Sequence, residues 1–225
     1  NVLDGRVITD NIDTVTYLNL AYRFISDLTG IEDFTVLTSL RCNGNQLTSL
    51  DLSNNTALTN LVCRNNQLTS LDVSQNTALT SLLCDDNQLT SLDVSQNTAL
   101  THLECGYNQL TSLDVSNTAL TELYCINNQL TSLDVSQNTA LTHLSCAGNQ
   151  LTSLDLTNNV ALSYLNCAAN QLTSLDLRNG NNTNIAGFTT IGNNQLYCIN
   201  VDDSVYSTSN WINKDPQHYF SEDCP

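Results

Sequence analysis

The sequence predicts a mostly β solenoid built from a tandem repeat, and three observations carry this prediction. Seven cysteines recur 21 residues apart, except for one interval of 20 residues. Leucines recur at fixed offsets around each cysteine, and an asparagine follows each cysteine by three residues. A repeat of this length cannot bury its apolar face alone, so copies have to stack on one another. The seven cysteines are Cys42, Cys63, Cys84, Cys105, Cys125, Cys146 and Cys167.

One complete repeat, residues 79–99, reads LTSLLCDDNQLTSLDVSQNTA. Its first half fits the pattern LxxLxCxxNxL, the leucine-rich-repeat signature with cysteine at the third apolar position. The close internal identity resembles the 21-residue bacterial class called IRREKO repeats, in which the second half, here LxxLDV, is a shortened copy of the first. This resemblance covers about residues 15–201. It implies a solenoid and a ligand-binding role in secreted or surface proteins, but it identifies no ligand.

The chain divides into two caps and a central stack. We expect an N-terminal cap over residues 1–14, about nine repeats over residues 15–201 and a C-terminal cap over residues 202–225, because the end repeats would otherwise expose the core. Each L-x-C triplet is expected to form a short strand of a parallel sheet on the concave face. The LDV segments are expected to form a second sheet or extended ladder on the other side, with little helix.

The nine cysteines fall into two populations. Seven occupy one interior position of the repeat, where cysteine acts as a small apolar side chain. Neighbouring copies are about 4.8 Å apart with parallel Cα–Cβ vectors, which disfavours disulfides between them, and a straight row cannot place four ligands around zinc. Cys198 and Cys224 lie outside this row, and we predict that they form a disulfide that ties the C-terminal cap to the stack. Such a bond fits an oxidising, extracytoplasmic location.

Two polar columns repeat with the same period. The asparagine three residues after each cysteine can satisfy backbone groups of its own and the next repeat, so we give it a structural role. The aspartates of the LDV segments form an outward column whose like charges require hydrogen bonds, solvent or cations. Backbone or Ser/Thr hydrogen bonding is the simpler interpretation, and loose Ca²⁺ binding is the alternative. These aspartates are Asp51, Asp72, Asp93, Asp114, Asp134, Asp155 and Asp176.

A partner surface is best sought where otherwise identical repeats differ from one another. The differences concentrate at the two strand positions on either side of the second leucine and in the loop after the cysteine. Strand alternation turns both strand positions away from the core. Exposed aromatic rings among carboxylates and imidazoles suit protein hot-spot contacts or sugar stacking. The predicted partner-binding residues are His102, Glu104, Tyr107, Glu122, Tyr124, Ile126, His143 and Tyr164.

The composition excludes several classes of function. The formal net charge of −16 argues against nucleic acid and against anionic membrane surfaces, and no apolar run is long enough for membrane insertion. The sequence carries no GxSxG, HExxH or phosphate-loop pattern, and His102 and His143 lie about 10 Å apart along their column, which is wide for joint metal ligation. We therefore predict no enzymatic activity, no cofactor and no bound metal.

The predicted function is a non-catalytic, secreted or surface-exposed module that binds a protein through the concave face. A carbohydrate-binding module for an extracellular polysaccharide is the first alternative, with Tyr107, Tyr124 and Tyr164 as stacking platforms. A structural spacer or adhesin stalk without a discrete site is the second. The chain begins at Asn1 without a leader-like segment, which is typical of a mature or trimmed chain.

Overall fold

The computed structural model describes residues 12–116 and 118–225 as a solenoid of short parallel strands. Most of the N-terminal cap predicted for residues 1–14 therefore lies outside the described residues. One strand from each of nine successive coils joins a parallel sheet, with strands paired in chain order. These strands are β1 (Tyr17–Asn19), β2 (Ser39–Arg41), β3 (Asn60–Val62), β4 (Ser81–Leu83), β5 (His102–Glu104), β6 (Glu122–Tyr124), β7 (His143–Ser145), β9 (Tyr164–Asn166) and β11 (Gly187–Thr189).

A smaller parallel sheet of four strands is formed by the second halves of the last repeats and by the chain end. The predicted ladder of LDV segments is thus paired only toward the C-terminus. In earlier repeats asparagine side chains satisfy this backbone instead, as where Asn97 Nδ2 donates to Val73 O at 3.0 Å and Asn76 O at 2.9 Å. The four strands are β8 (Ser153–Asp155), β10 (Ser174–Leu177), β12 (Cys198–Val201) and β13 (Tyr219–Ser221).

The core consists of leucine, cysteine and valine columns that run the length of the stack. Leu82, Cys84, Leu89 and Val94 of one repeat are completely buried, and the equivalent residues of its neighbours pack above and below them. The strand of this repeat begins at Ser81, one residue earlier than the predicted triplet. The ladder nevertheless extends past it, because Cys84 N–H donates to the Glu104 carbonyl at 2.8 Å.

The asparagine after each cysteine joins consecutive coils. Asn87 Oδ1 accepts from Leu68 N–H at 3.0 Å, while its Nδ2 donates to the carbonyls of Cys63 and Cys84 at 3.1 and 3.0 Å. Each such side chain therefore bonds to backbone groups of two neighbouring repeats, and consecutive asparagines share a cysteine carbonyl, as Asn66 and Asn87 share that of Cys63. These hydrogen bonds are the ones that the predicted structural role of the asparagine column requires.

The C-terminal residues close the end of the stack. The α-helix α1 (Ser204–Asn210) follows β12, and Trp211 stacks on Phe188 of β11 with ring centroids 4.3 Å apart. A disulfide joins Cys198 in β12 to Cys224, with Cα atoms 5.8 Å apart. The seven core cysteines are buried free thiols. Among the described residues, no helix is long and apolar enough to cross a membrane.

Candidate binding surface on the nine-stranded sheet

The outer face of β5 and β6 carries the polar residues that distinguish the middle repeats. In each strand the central leucine is fully buried and the residues on either side are half-buried. His102 and Glu104 of β5 pair in register with Glu122 and Tyr124 of β6, so the four side chains lie together on one face. Sequence alternation alone predicted this grouping.

These side chains form a continuous hydrogen-bonded network. The His102 ring lies between two carboxylates, with Nε2 at 2.9 Å from Glu104 Oε1 and Nδ1 at 3.2 Å from Glu122 Oε2. The Tyr124 hydroxyl donates to Glu122 Oε2 at 3.3 Å. Carboxylates only accept, and a neutral imidazole has a single N–H, so both histidine contacts are satisfied when the ring is doubly protonated. The network holds both carboxylates and the tyrosine ring in place on the sheet.

Two further residues, which were not among the predicted site residues, extend this network. Arg64 Nη2 lies 3.2 Å from Glu104 Oε2, and Arg64 Nε lies 3.7 Å from Asp85 Oδ1. The separation of 3.7 Å between Arg64 Nε and Asp85 Oδ1 is within ion-pair range but too long for a hydrogen bond. Both atoms are buried, and neither has a hydrogen-bond partner. Both residues occupy the position directly after the core cysteine in successive repeats. Because they occupy equivalent positions in successive repeats, the repeat register predicts that they lie side by side.

Asp85 is the electrostatically unusual carboxyl of this face. Burial, together with the smaller effect of the nearby Glu104 charge, raises the pKa of Asp85 to about 6 against the opposing effect of Arg64. Its side chain is only 16% exposed. A carboxylate in this position is incompletely compensated by its surroundings, which favours an additional cation nearby.

A shallow cleft of about 180 Å³ opens beside this carboxylate. Gly106, directly after the core cysteine, allows Ile126 to approach closely, since a Cβ there would lie 2.8 Å from Cγ1 of Ile126. Tyr107 follows with a left-handed φ of 51° and a half-exposed side chain. The equivalent residues in other repeats are mainly glycine and asparagine, which adopt this conformation at lower cost. The cleft is lined by Asp85, Glu104, Gly106, Tyr107, Tyr124 and Ile126.

The remaining two predicted site residues form a separate pair. His143 stacks on Tyr164 with centroids 5.8 Å apart, and its Nδ1 lies 3.0 Å from the hydroxyl of Thr142. Tyr164 in turn covers Gly187, where a Cβ would collide with the tyrosine ring. Within the described residues no hydrogen bond joins this pair to the His102 network. The structure thus divides the predicted residues into a network with a cleft and an adjoining aromatic pair.

The aspartate column is organised by hydrogen bonds within each repeat. Asp93 Oδ1 accepts from Ser95 N–H at 2.8 Å, and the equivalent bond recurs from Asp51 to Asp176. The backbone and side chain of Ser95 lower the pKa of the Asp93 carboxyl. No cluster of three or more potential metal-ligating residues was found among residues 12–116 and 118–225. Loose cation binding along this column therefore stays a hypothesis.

Comparison with known proteins identifies the fold. A family model described as leucine-rich repeats (two copies) matches residues 118–158. No curated protein sequence matches the chain. The functional domain of InlJ from Listeria monocytogenes, described as including a cysteine ladder, is 43% identical over 86% of this chain with a TM-score of 0.79. The chain spans 45% of the length of that structure.

More distant structures share the architecture alone. Internalin C2 from Listeria monocytogenes is 20% identical, covers 96% of this chain and is itself covered to 84%, with a TM-score of 0.57. The plant peptide hormone receptor RGFR1, solved in complex with RGF2, is 20% identical, covers 87% of this chain and is covered to 38%, with a TM-score of 0.65. The chain therefore has the fold of a leucine-rich-repeat solenoid, which confirms the fold predicted from its cysteine and leucine spacing.

Proposed function

We propose that this chain is a non-catalytic extracellular module that binds a protein partner through the outer face of β5 and β6. The observation that carries the proposal is the coincidence of a hydrogen-bonded network and a cleft at the repeats that depart most from the common pattern. Repeat positions fixed by packing are buried and uniform, whereas this surface is half-exposed and its combination of residues changes from repeat to repeat. Tyrosine and arginine, both present here, are the residue types that dominate protein interfaces.

The setting and the relatives support this proposal. The Cys198–Cys224 disulfide fits an oxidising compartment outside the cytoplasm. The RGFR1 structure contains a leucine-rich-repeat receptor in complex with RGF2, and we extend protein binding to this chain as part of the proposal. The 43% identity to InlJ and the fixed 21-residue spacing favour a bacterial surface protein with repeats of the IRREKO class.

A selection of random peptides displayed on phage tests the proposal. The chain is compared with a variant in which four surface residues are exchanged for residue types found at the same positions in other repeats, so that the fold is retained. We expect binders that recognise the chain and lose at least tenfold in affinity for the variant, equivalent to about 1.4 kcal/mol. The variant carries His102→Ser, Glu104→Asn, Tyr107→Asn and Tyr124→Ser.

A matched control places similar changes on a different column of exposed residues. Gln75→Asn, Gln96→Asn and Gln137→Asn introduce the residue that other repeats already carry as Asn54 and Asn158. Binders should not distinguish this control from the original chain. Binders that lose affinity for the control instead, or a selection that yields no binder at all, would contradict the proposed surface.

The polysaccharide alternative is tested on the same face. The chain and a Tyr107→Ala/Tyr124→Ala variant are applied to neutral and acidic polysaccharides with and without calcium. We expect no retention that depends on the two tyrosines. If the polysaccharide retains the chain but not the variant, the proposed function becomes sugar binding rather than protein binding. If retention requires calcium, the binding site is expected at the aspartate column.

A further inference from the structure

We infer that the cleft beside Gly106 accepts a lysine or arginine side chain of the protein partner. The inference rests on the proposed function and specifies the partner's chemistry. Two independent features of the cleft lead to it: its charge, and the shape and composition of its walls. A partner segment with a basic residue exposed on its surface would place that side chain between Asp85 and Tyr107.

The charge of the cleft is negative and only partly neutralised. Asp85 and Glu104 line it, and Glu122 accepts a hydrogen bond from Tyr124. The Arg64 guanidinium lies 3.2 Å from Glu104 and 3.7 Å from Asp85, so two carboxylates share it. His102 lies between Glu104 and Glu122. Three carboxylates therefore face Arg64 and His102, and a further cation complements this surface even when both of these residues are charged.

The walls of the cleft suit a cation carried on an apolar stem. Its lining combines Ile126, Tyr107 and Tyr124 with the carboxylates of Asp85 and Glu104. Lysine and arginine bury their methylene groups along apolar surfaces while the charged end stays near water or a carboxylate, and tyrosine faces attract such cations. A bare metal ion would gain nothing from the apolar walls. The composition therefore favours a basic side chain.

The strained loop supports a binding role for Tyr107. The backbone there adopts φ of 51°; the equivalent residues are glycine or asparagine in five other repeats and Tyr22, Asp86 and Ala169 in three. A bulky residue in this conformation adds conformational strain, and such strain persists where the side chain serves a purpose. Tyr107 is also half-exposed, so burial in the core does not offset the cost of its backbone conformation. Contact with a partner's side chain would offset that cost.

The inference also implies a pH dependence with a defined sign. Asp85 must be ionised to bind a cation, and the charged groups that face it are Arg64, Glu104 and Asp86. Because the pKa of Asp85 is raised to about 6, its charge is complete well above pH 6 and is lost as the pH falls through that value. Binding of the basic side chain should weaken over the same interval.

A titration with short peptides, followed by nuclear magnetic resonance of the ¹⁵N-labelled chain, tests the inference. The probes are acetylated and amidated pentapeptides with lysine, arginine or the uncharged norleucine flanked by glycines. We expect the lysine and arginine peptides to shift the amide signals of Gly106, Tyr107 and Ile126 at millimolar concentrations. The norleucine peptide has a similar stem without the charge and should shift them little.

Two carboxylate variants provide the matched comparison. Asp85→Asn should lower the affinity for the lysine peptide about tenfold, which is the loss expected when one charge-assisted contact is removed. Asp93→Asn removes the same charge from the exposed aspartate column and should leave binding unchanged. Equal binding of the norleucine peptide, no shift at Gly106, or full affinity in Asp85→Asn would overturn the inference. Phage-selected binders lacking basic residues would overturn it too, yet leave the proposed protein-binding surface intact.

Discussion

At the scale of single residues, asparagine side-chain amides form hydrogen bonds with backbone groups that, in ordinary sheets, pair with the backbone of a neighbouring strand. A second asparagine row, not singled out from the sequence, lies in the other half of the repeat and includes Asn76 and Asn97. In the repeat that is one residue shorter, Thr118 takes this place and its hydroxyl donates to Val115 O at 2.7 Å. The asparagines are therefore as much part of the stack as the leucines.

Replacing Asn87 with alanine should be strongly destabilising. The substitution leaves Leu68 N–H without its acceptor in the core and removes one of the two asparagine donors from each of the carbonyls of Cys63 and Cys84. We expect the free energy of unfolding to fall by about 3 kcal/mol, measured by urea denaturation. The neighbouring exposed Gln88→Ala should change it by less than about 0.5 kcal/mol. Equal effects of the two substitutions would refute the structural role of the column.

Replacing Tyr107 with asparagine should have the opposite effect on stability. Asn65 and Asn127 already occupy the equivalent left-handed position in other repeats. We expect Tyr107→Asn to raise the free energy of unfolding by roughly 1 kcal/mol, because asparagine tolerates this backbone better. The urea midpoint measures the gain. A loss of stability would show that the tyrosine ring is held by packing rather than retained for binding.

At the scale of elements, the repeats are anchored by a C-terminal structure whose details the repeat pattern could not supply. The leucine and cysteine spacing predicts β2 to β7 and β9 because each position of the pattern has one packing role. The segment 181–192 departs from this spacing, yet it contributes β11, with Phe188 in register with Leu165. Nothing in the spacing indicates that Phe188, Trp211 and Phe220 form an aromatic cluster, because such contacts are specific to one end.

Removing the disulfide should loosen this end of the stack first. The bond closes a segment with a sequence separation of 26 residues, and loop-closure entropy makes such a crosslink worth roughly 3 kcal/mol. In Cys198→Ser/Cys224→Ser, amide exchange should accelerate in β12 and β13 while β4 to β6 keep their protection, since solenoid coils contact only their neighbours. Adding a thiol reductant to the unmodified chain should reproduce the effect. Uniform acceleration along the whole stack would argue against local anchoring.

At the scale of the whole molecule, repeats with nearly identical cores carry different residues on the outer face of β5 and β6. The sequence alone located most of that surface, because strand alternation and repeat register place His102, Glu104, Glu122 and Tyr124 on one face. It did not reveal that Arg64 and Asp85 belong to the same network, since the contacts depend on side-chain conformations. Nor could it reveal the cleft, because its lining depends on side-chain positions such as that of Ile126 against Gly106.

Amide hydrogen exchange of the chain bound to a selected peptide tests the central claim most directly. If β5 and β6 form the partner surface, binding should slow exchange in residues 102–107 and 122–127 and leave the aspartate column around residues 91–95 unchanged. Protection at the aspartate column or over residues 204–221, without protection of β5 and β6, would contradict the account and place the partner elsewhere on the solenoid.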